Sequence, residues 1–433
     1  MADKRQIEVA IVGGGITGVI LAIGLLHRNV RSTIYERARA FSEMGAGIGF
    51  TENAENAMKA LDPRMHQCFR EVATRNNDDW FRYVDGFGTD RHGRSIDGTE
   101  EVVCNMYLGE RGFEACRRSD FLKRILELLP EGCLKYGKNL LSVRDDSKAE
   151  KVLMMFEDGS EEVGDIVIGC DGINSRMRSI MFGPDTPQPG YTHKYAYRGL
   201  ISTDEVRQLL GDDKASGRFI HMGAGAHVLS CPVAGGKMVN VAAFVTDANP
   251  WAGEDGKLTA AGTKAEAVEA FSAFGPSVRG LISLLPEKLD KWAIFDMHDH
   301  PLPTFVCGRL CLAGDAAHAA APHHGAGAGY GVEDCLVLAA LLARVGHRPV
   351  PMSLETIVPG VLAIYNEIRY DRCQALVQSS RTVAEMYEWQ HVDTRRDTQR
   401  FNDDFHARCH RIWDYDVDDM VRRSLEALEK MWA

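Results

Sequence analysis

Two runs of this chain combine glycines and acids at spacings suited to phosphates and sugar hydroxyls. One is Gly13-Gly14-Gly15-Ile16-Thr17-Gly18, a G-x-G-x-x-G pattern between an apolar strand, Ile7 to Val12, and an apolar helix, Val19 to Leu26. Gly13 suits a tight turn, Gly15 a close approach to pyrophosphate, and Gly18 close helix–strand packing. The helix N-terminus offers free N–H groups and a positive dipole end to phosphate. A second strand, Ser32 to Tyr35, ends at Glu36, where an acid is expected on a ribose hydroxyl and would disfavour a 2′-phosphate. The other run is Gly314-Asp315-Ala316-Ala317-His318 after the apolar Leu310 to Ala313, followed by Pro322, Gly325, Gly327 and Gly329. Almost the whole chain separates the two runs. Together they predict one large cofactor gripped from both ends, and FAD is the candidate.

The elements that must position these residues are partly legible. Phe121, Leu122, Ile125, Leu126, Leu128 and Leu129 have helical spacing, with Ser119 or Asp120 as the expected N-cap. Val152 to Phe156 and Glu161 to Val163 flank Glu157-Asp158-Gly159 as a hairpin. Asp165 to Gly169 forms a further strand ending in Cys170-Asp171-Gly172. Between residues 190 and 250 the pattern turns to strands: Tyr195 to Ile201, Arg218 to Met222, His227 to Cys231 and Met238 to Val245, an antiparallel sheet over one face of a cleft. Helical periodicity returns after Glu333. From about Leu354 the chain is charged and helical, with a mixed-sign, solvent-facing stretch at Arg395 to Asp404.

The fold class expected is α/β: a Rossmann-like FAD-binding domain with an inserted antiparallel-sheet substrate domain and a C-terminal helical segment. The expected division gives 1–75, 100–185 and 290–370 to the FAD-binding domain, 76–99 and 186–289 to the substrate domain, and 371–433 to the C-terminal segment.

Composition agrees with a soluble enzyme. The 433 residues are 45% hydrophobic and 26% charged, ordinary for a globular chain of two or three domains. A net charge of −11 argues against nucleic acid and anionic membrane surfaces as partners. Eleven scattered cysteines with no C-x-x-C pair argue against a disulfide framework and for a reducing, cytoplasmic setting. The apolar run Leu336 to Leu342 is too short to cross a bilayer. His298 with His300, and His323 with His324, lack acid or cysteine partners at ligand spacing, so no metal site is expected. Nothing fixes the oligomeric state as monomer or homodimer.

Three motifs in order resemble the single-component, FAD-dependent aromatic hydroxylases of the salicylate hydroxylase type. They are Gly13-x-Gly15-x-x-Gly18 with Glu36, Cys170-Asp171-Gly172 with Ser175 and Arg178, and Gly314-Asp315 with Pro322 and its glycines. Arg118, before Ser119 and Asp120, matches the arginine that such enzymes place near the ribityl and phosphate. The resemblance covers roughly residues 5 to 380. It implies non-covalent FAD, NADPH or NADH as transient co-substrate, O2, a small aromatic substrate, and hydroxylation through a flavin C4a-hydroperoxide. It also implies roles: Asp171 at FAD and NAD(P)H, Asp315 on the ribityl hydroxyls, and backbone N–H groups after Pro322 at the flavin ring.

Tyr197-Arg198-Gly199 resembles a motif of a fungal branch that hydroxylates resorcinol-type polyketides, sometimes with loss of aromaticity. Arg198 in an apolar sheet needs an anion, either a neighbouring carboxylate or a substrate phenolate. His227, on a neighbouring strand, is a candidate second polar contact. Two alternatives stand beside hydroxylation: another flavoenzyme of the fold, an epoxidase or oxidase, and a non-catalytic binding protein on the same scaffold. No second strand–G-x-G-x-x-G–helix unit and no W-x-W signature occurs, which disfavours a two-Rossmann reductase and a halogenase.

Overall fold

The computed structural model describes residues 7–40, 47–88, 100–145, 151–253, 256–346 and 353–433. The apolar strand Glu8–Val12 lies in a six-stranded sheet, between Ile166–Gly169 and Arg31–Tyr35, both parallel to it. Leu310–Leu312 and Leu134–Lys135 extend the parallel set, and Val306–Cys307 closes one edge antiparallel. A parallel sheet covered on its faces reads as continuous apolar runs, and Ile166–Ile168 and Leu310–Leu312 are buried throughout. The helix Ile16–His27 follows the first strand directly and is buried over most of its length. The hairpin Val152–Phe156 and Glu161–Gly164 pairs as the turn residues predict, with Leu140–Arg144 as a third strand.

An eight-stranded sheet forms the second layer. Its order is Thr259–Thr263, Lys288–Asp296, Gly190–Ser202, Met238–Thr246, Ala226–Val233, Phe219–Gly223, Trp80–Asp85 and Val102–Tyr107. The expected antiparallel sheet is therefore mixed, because Phe219–Gly223 runs parallel to Trp80–Asp85. Alternation along the strands sorts the side chains. Tyr197, Val228 and Ala243 pack in one core with Val206, Phe271, Val278 and Leu281 of the covering helices. Arg198, Ala242 and Leu229 are paired partners in register and line a cavity on the opposite face.

Three details differ from expectation. The strand Val102–Tyr107 pairs with Trp80–Asp85, so it belongs to the substrate-side sheet and not to the FAD-binding domain. The helix expected to be capped by Ser119 or Asp120 starts at Arg118, with Arg117 in the cap position. A single helix, Leu354–Tyr387, runs through the expected boundary at residue 371. Its continuity is maintained by a buried face, including Tyr365, Cys373, Leu376 and Val383, that crosses that point without a break. The stretch around Arg395 to Asp404 is exposed at its charges, while Phe401 and Phe405 of Thr398–Trp413 turn inward.

The eleven cysteines are unpaired. Among the described residues no helix is long and apolar enough to cross a membrane.

A buried ion network joins the layers. Arg369 of the long helix donates from Nε to Asp334 at 2.8 Å and pairs with Glu333, both on the helix Gly327–Val345. Arg372 donates to Glu333 at 2.7 and 2.8 Å, and Asn53 donates to it at 2.6 Å. His318, Asp334 and Cys373 lie close enough together to suggest metal ligands. Arg369, however, bonds both Asp334 and Cys373, so a fixed cation already serves that position. Burial pushes Asp334 up, and the charges of His318 and Arg369 outweigh it to hold the carboxyl well below its ordinary range. Glu333 is lowered in the same way, burial opposed by Arg369 and Arg372.

Arg369→Met should therefore cost about 3–5 kcal/mol, because two buried carboxylates lose their shared cation. The sign with pH follows from the depressed carboxylates. Their contribution is complete above the ordinary carboxylate range and lost as pH falls through the lower folded values. Thermal unfolding between pH 3 and 8 should show the variant less stable near neutrality, with a weaker further loss toward acid. Parallel wild-type and variant curves would contradict this account.

Candidate active site

The three motifs meet around the N-terminus of Ile16–His27. Gly13 sits at φ +109°, and a Cβ there would lie 2.4 Å from the Cys170 carbonyl oxygen. The fingerprint turn thus rests directly on the Cys170-Asp171 turn, which only glycine allows. Gly314 has φ +62°, and its Cβ would fall 2.7 Å from Thr17 Oγ1. Gly18 abuts the Gly13 carbonyl. The second and third motifs are tied by Arg178, whose guanidinium is buried and donates to the Ile173 carbonyl at 2.6 Å and the Ala316 carbonyl at 3.1 Å.

These turns line a cavity of about 800 Å³. Gly13, Gly15, Glu36, Arg118, Asp171, Asp315, Pro322 and Gly327 all face it. Gly15 is the open glycine of the fingerprint: the nearest group to a Cβ there would be Arg118 Nη2, at 3.9 Å. Glu36 accepts from Gly14 N–H at 2.6 Å and Ala38 N–H at 2.7 Å, so it braces the turn as well as standing at the rim. Asp315 is exposed at the start of a short helical turn, Asp315–His318. The turn is set from below by Asp334, which accepts the Gly314 N–H at 2.9 Å and pairs with His318 Nε2 at 2.6 Å.

Two expected roles gain detail. Both Asp171 oxygens also accept locally, from Ser175 Oγ at 2.5 Å and Met177 N–H at 2.9 Å, so the carboxylate braces the loop into Arg176–Phe182 while it faces the cavity, as Glu36 does at its own turn. Gly325, at φ +64°, gives its N–H to the Pro322 carbonyl at 2.9 Å. The donors near the cavity are instead those of Gly327 and Ala328, at the start of Gly327–Val345, where helix N–H groups have no intrahelical acceptor.

A second cavity, of about 320 Å³, opens from the same seam. Gly47, Ile48, Arg198, Asp315, Pro322, Gly327 and Ala328 line both. Its walls are apolar at Phe81, Tyr83, Leu108, Ile220, Leu229 and Phe405, and polar at Arg198, Arg218, His227 and Asn240. Arg198 has its side chain over the Trp292 ring, 5.4 Å to the centroid, and its Nε has no partner. Among the described residues no carboxylate pairs with Arg198, so the structural ion pair left open by the sequence is not found. Burial lowers the guanidinium's pKa from its usual value, which leaves it, at any working pH, a cation awaiting an anion. His227 is fully buried, stacked on Phe244 at 4.6 Å, and bonded through Nδ1 to Glu388 at 3.0 Å.

The sequence reading missed the contribution of the last fifty residues. Tyr387, Phe405, Cys409 and Trp413 all line the second cavity. Tyr387 and Glu388 end the long helix without any recognisable motif. Lys194 was findable, because it shares the strand parity of Arg198 on Gly190–Ser202 and is likewise a cation in an apolar sheet.

Comparison with known proteins agrees with this geometry. Residues 122–380 match the FAD binding domain family. The chain is 51% identical over 98% of its length to the FAD-dependent monooxygenase pigN of Monascus ruber, covering 97% of that protein. It is 37% identical to the salicylate hydroxylase asL1 of Sarocladium schorii, over 99% of this chain and 92% of that one. A solved salicylate hydroxylase–substrate complex superposes with a TM-score of 0.84 at 30% identity, over 98% of both chains. The chain belongs to the FAD-dependent monooxygenases of the salicylate hydroxylase class. It is a flavoprotein oxidoreductase with FAD as its cofactor.

The residues present fit FAD. The open Gly15 beside Arg118 suits the pyrophosphate, Glu36 the adenosine ribose, and Asp315 the ribityl chain. The seam is left for the ring system. Glu36→Ala should weaken FAD binding by about 1.5–3 kcal/mol, the worth of one charged hydrogen bond, read by fluorescence titration of the apoprotein. Asp315→Ala should stay folded, since the side chain is exposed, yet purify with little flavin. Full flavin occupancy in both variants would mean that the two ends of the cavity do not grip the cofactor.

Proposed function

We propose that the protein hydroxylates an electron-rich phenolic ring, with NADPH or NADH as reductant and O2 as the oxygen source. The observation that carries this reading is Arg198: a cation with no carboxylate partner among the described residues, at the seam shared by the cofactor cavity and the second cavity. Bound FAD supplies the redox and oxygen chemistry. The chain's own residues orient and polarise. Electrophilic oxygen transfer needs an electron-rich ring, and a phenolate is far richer than a phenol. The guanidinium favours the charged form of a phenol beside it, and its planar fork can hold two oxygens, such as a phenolate and an adjacent carbonyl. The apolar walls at Phe81, Tyr83, Ile220 and Leu229 hold the rest of the molecule and keep water from the reacting carbon. His227 lies on the same face as a second polar contact. Attack at a carbon already bearing a substituent would cost the ring its aromaticity, the form suggested by the Tyr197-Arg198-Gly199 resemblance.

A panel of phenols should be screened for stimulated NADPH or NADH oxidation, with mass spectrometry of the products. Arg198→Ala and Arg198→Gln should retain FAD and fold but lose product, with residual coenzyme consumption appearing as hydrogen peroxide. Arg198→Lys should recover only part, because charge returns without the fork. Product at the wild-type rate from Arg198→Ala would refute the phenolate-holding role.

A further inference from the structure

His227, Glu388 and Lys194 form a buried triad beside the second cavity, and each comes from a different element. His227 lies on the strand Ala226–Val233, Lys194 on Gly190–Ser202, and Glu388 at the end of Leu354–Tyr387. Their exposures are 1%, 4% and 1%. Glu388 Oε1 lies 3.0 Å from His227 Nδ1. Its Oε2 receives Lys194 Nζ and Thr246 Oγ1. Lys194 also donates to Thr246 at 2.8 Å and to the exposed Gln390 at 3.4 Å. A buried ion pair is an expensive way to join a helix end to a sheet, since an apolar pair would serve stability as well or better. Its position against the one histidine that it contacts calls for a chemical reason.

We propose that Glu388 is a positioning residue for catalysis: with Lys194 it fixes His227 as the Nδ1–H tautomer, whose Nε2 takes the proton of the substrate phenol. This rests on the phenolic reading above. An ionised carboxylate only accepts hydrogen bonds, so Nδ1 must donate and the lone pair must sit on Nε2. Phe244 lies flat against the ring, with 9° between planes, and Tyr387 meets it edge-on at 5.3 Å, so packing resists a ring flip. Sheet register places the base relative to Arg198. Arg198 pairs with Ala242 and Ala242 with Leu229, while Phe244 pairs with His227 one same-face step along. Their Cα atoms are then about 12 Å apart on one face, a gap that two side chains and a single ring carrying two oxygens can close.

The proton balance is simple. The phenol O–H breaks, its electron pair stays on oxygen, and a bond forms at His227 Nε2. Lys194 and Glu388 already cancel, so the transfer creates one imidazolium and one phenolate, and the Arg198 guanidinium is the further cation that faces the phenolate. The proton returns to the product as it leaves. The charged and titratable groups facing His227 are Glu388, Lys194, His323 and Tyr387. Among the described residues His323 has no partner on either ring nitrogen, and burial holds its pKa well below the usual value, so it adds no charge. Burial lowers His227 too, with Glu388 opposing, so the ring is neutral before the transfer, and the Arg198 guanidinium beside the phenol oxygen must favour the phenolate for the proton to move.

The test uses FAD-loaded enzyme with 2,4-dihydroxyacetophenone and a ring-fluorinated analogue of lower pKa. Glu388→Gln should keep FAD and lose product formation by about a hundredfold near pH 7, the lower end of what a positioned general base contributes. The rate should recover as pH passes the phenol's own pKa, and the fluorinated analogue should lose less. An equal loss at every pH and for both phenols would make Glu388 a structural residue only, and a wild-type rate would remove any role. If Glu388→Gln does not fold, the pair Lys194→Met/Glu388→Gln removes both charges together and carries the same expectation. Ring-nitrogen NMR of histidine-labelled, FAD-loaded wild type decides the tautomer without substrate: Nδ1–H supports the assignment and Nε2–H overturns it. Should no phenol stimulate the wild type, the phenolic reading fails by itself, and this NMR result still tests what Glu388 does to His227.

Discussion

The Asp334 carboxylate is the contact on which the site depends. It is buried, it accepts the backbone N–H of Gly314, and it holds His318 from the same turn. Without an anion there, the turn that presents Asp315 to the cavity would lose its internal support. Such an anion can exist in the core only because Arg369 reaches it from a helix far along the chain. Glu333, next to it, takes the rest of that guanidinium together with Arg372 and Asn53. The cofactor loop, the helix Gly327–Val345 and the helix Leu354–Tyr387 are thereby one electrostatic unit. Partial satisfaction would be worse than an apolar core at the same place, which gives the network its all-or-none character.

A second unit of the same kind lies across the seam. Lys194 and Glu388 do for the sheet side what Arg369 and Asp334 do for the glycine turns: each pairs charges from distant segments and ends on a histidine. The outcomes differ. His318, paired with Asp334, has its pKa raised well above the usual value although burial opposes this, and it behaves as a fixed cation. His227 is lowered, burial outweighing Glu388. One histidine holds a loop and the other is kept neutral beside a cavity: Cys373 and Asp334 together outweigh burial at His318, while at His227 burial outweighs Glu388, with Lys194 on the same side as burial.

Much of the cofactor side was legible because its chemistry needs backbone conformations that few residues adopt. Gly13, Gly15, Gly18 and Gly314 are marked by geometry that excludes a Cβ or leaves room for a ligand, and Glu36 and Asp315 follow at set distances. Hairpins and the first strands were legible from turn residues and apolar runs. The substrate side was not, because no local rule governs it. Arg198 stood out as a charge in an apolar strand, and Lys194 obeyed the same logic unnoticed. Glu388, Phe405 and Trp413 reach the cavity through tertiary packing of helices whose sequences look like any amphipathic surface helix. The parallel pairing of Phe219–Gly223 with Trp80–Asp85 joins segments far apart in the chain, and no periodicity announces such a partner.

The late position of the cavity's last wall also bears on how the molecule is made. Domains form in order as a chain leaves the ribosome. The glycine turns and the Asp315 loop precede Arg369, so a nascent chain holds the parts of its cofactor groove before Tyr387, Phe405, Cys409 and Trp413 exist to enclose the neighbouring space. Vectorial synthesis therefore exposes the flavin site first and seals the reaction chamber last.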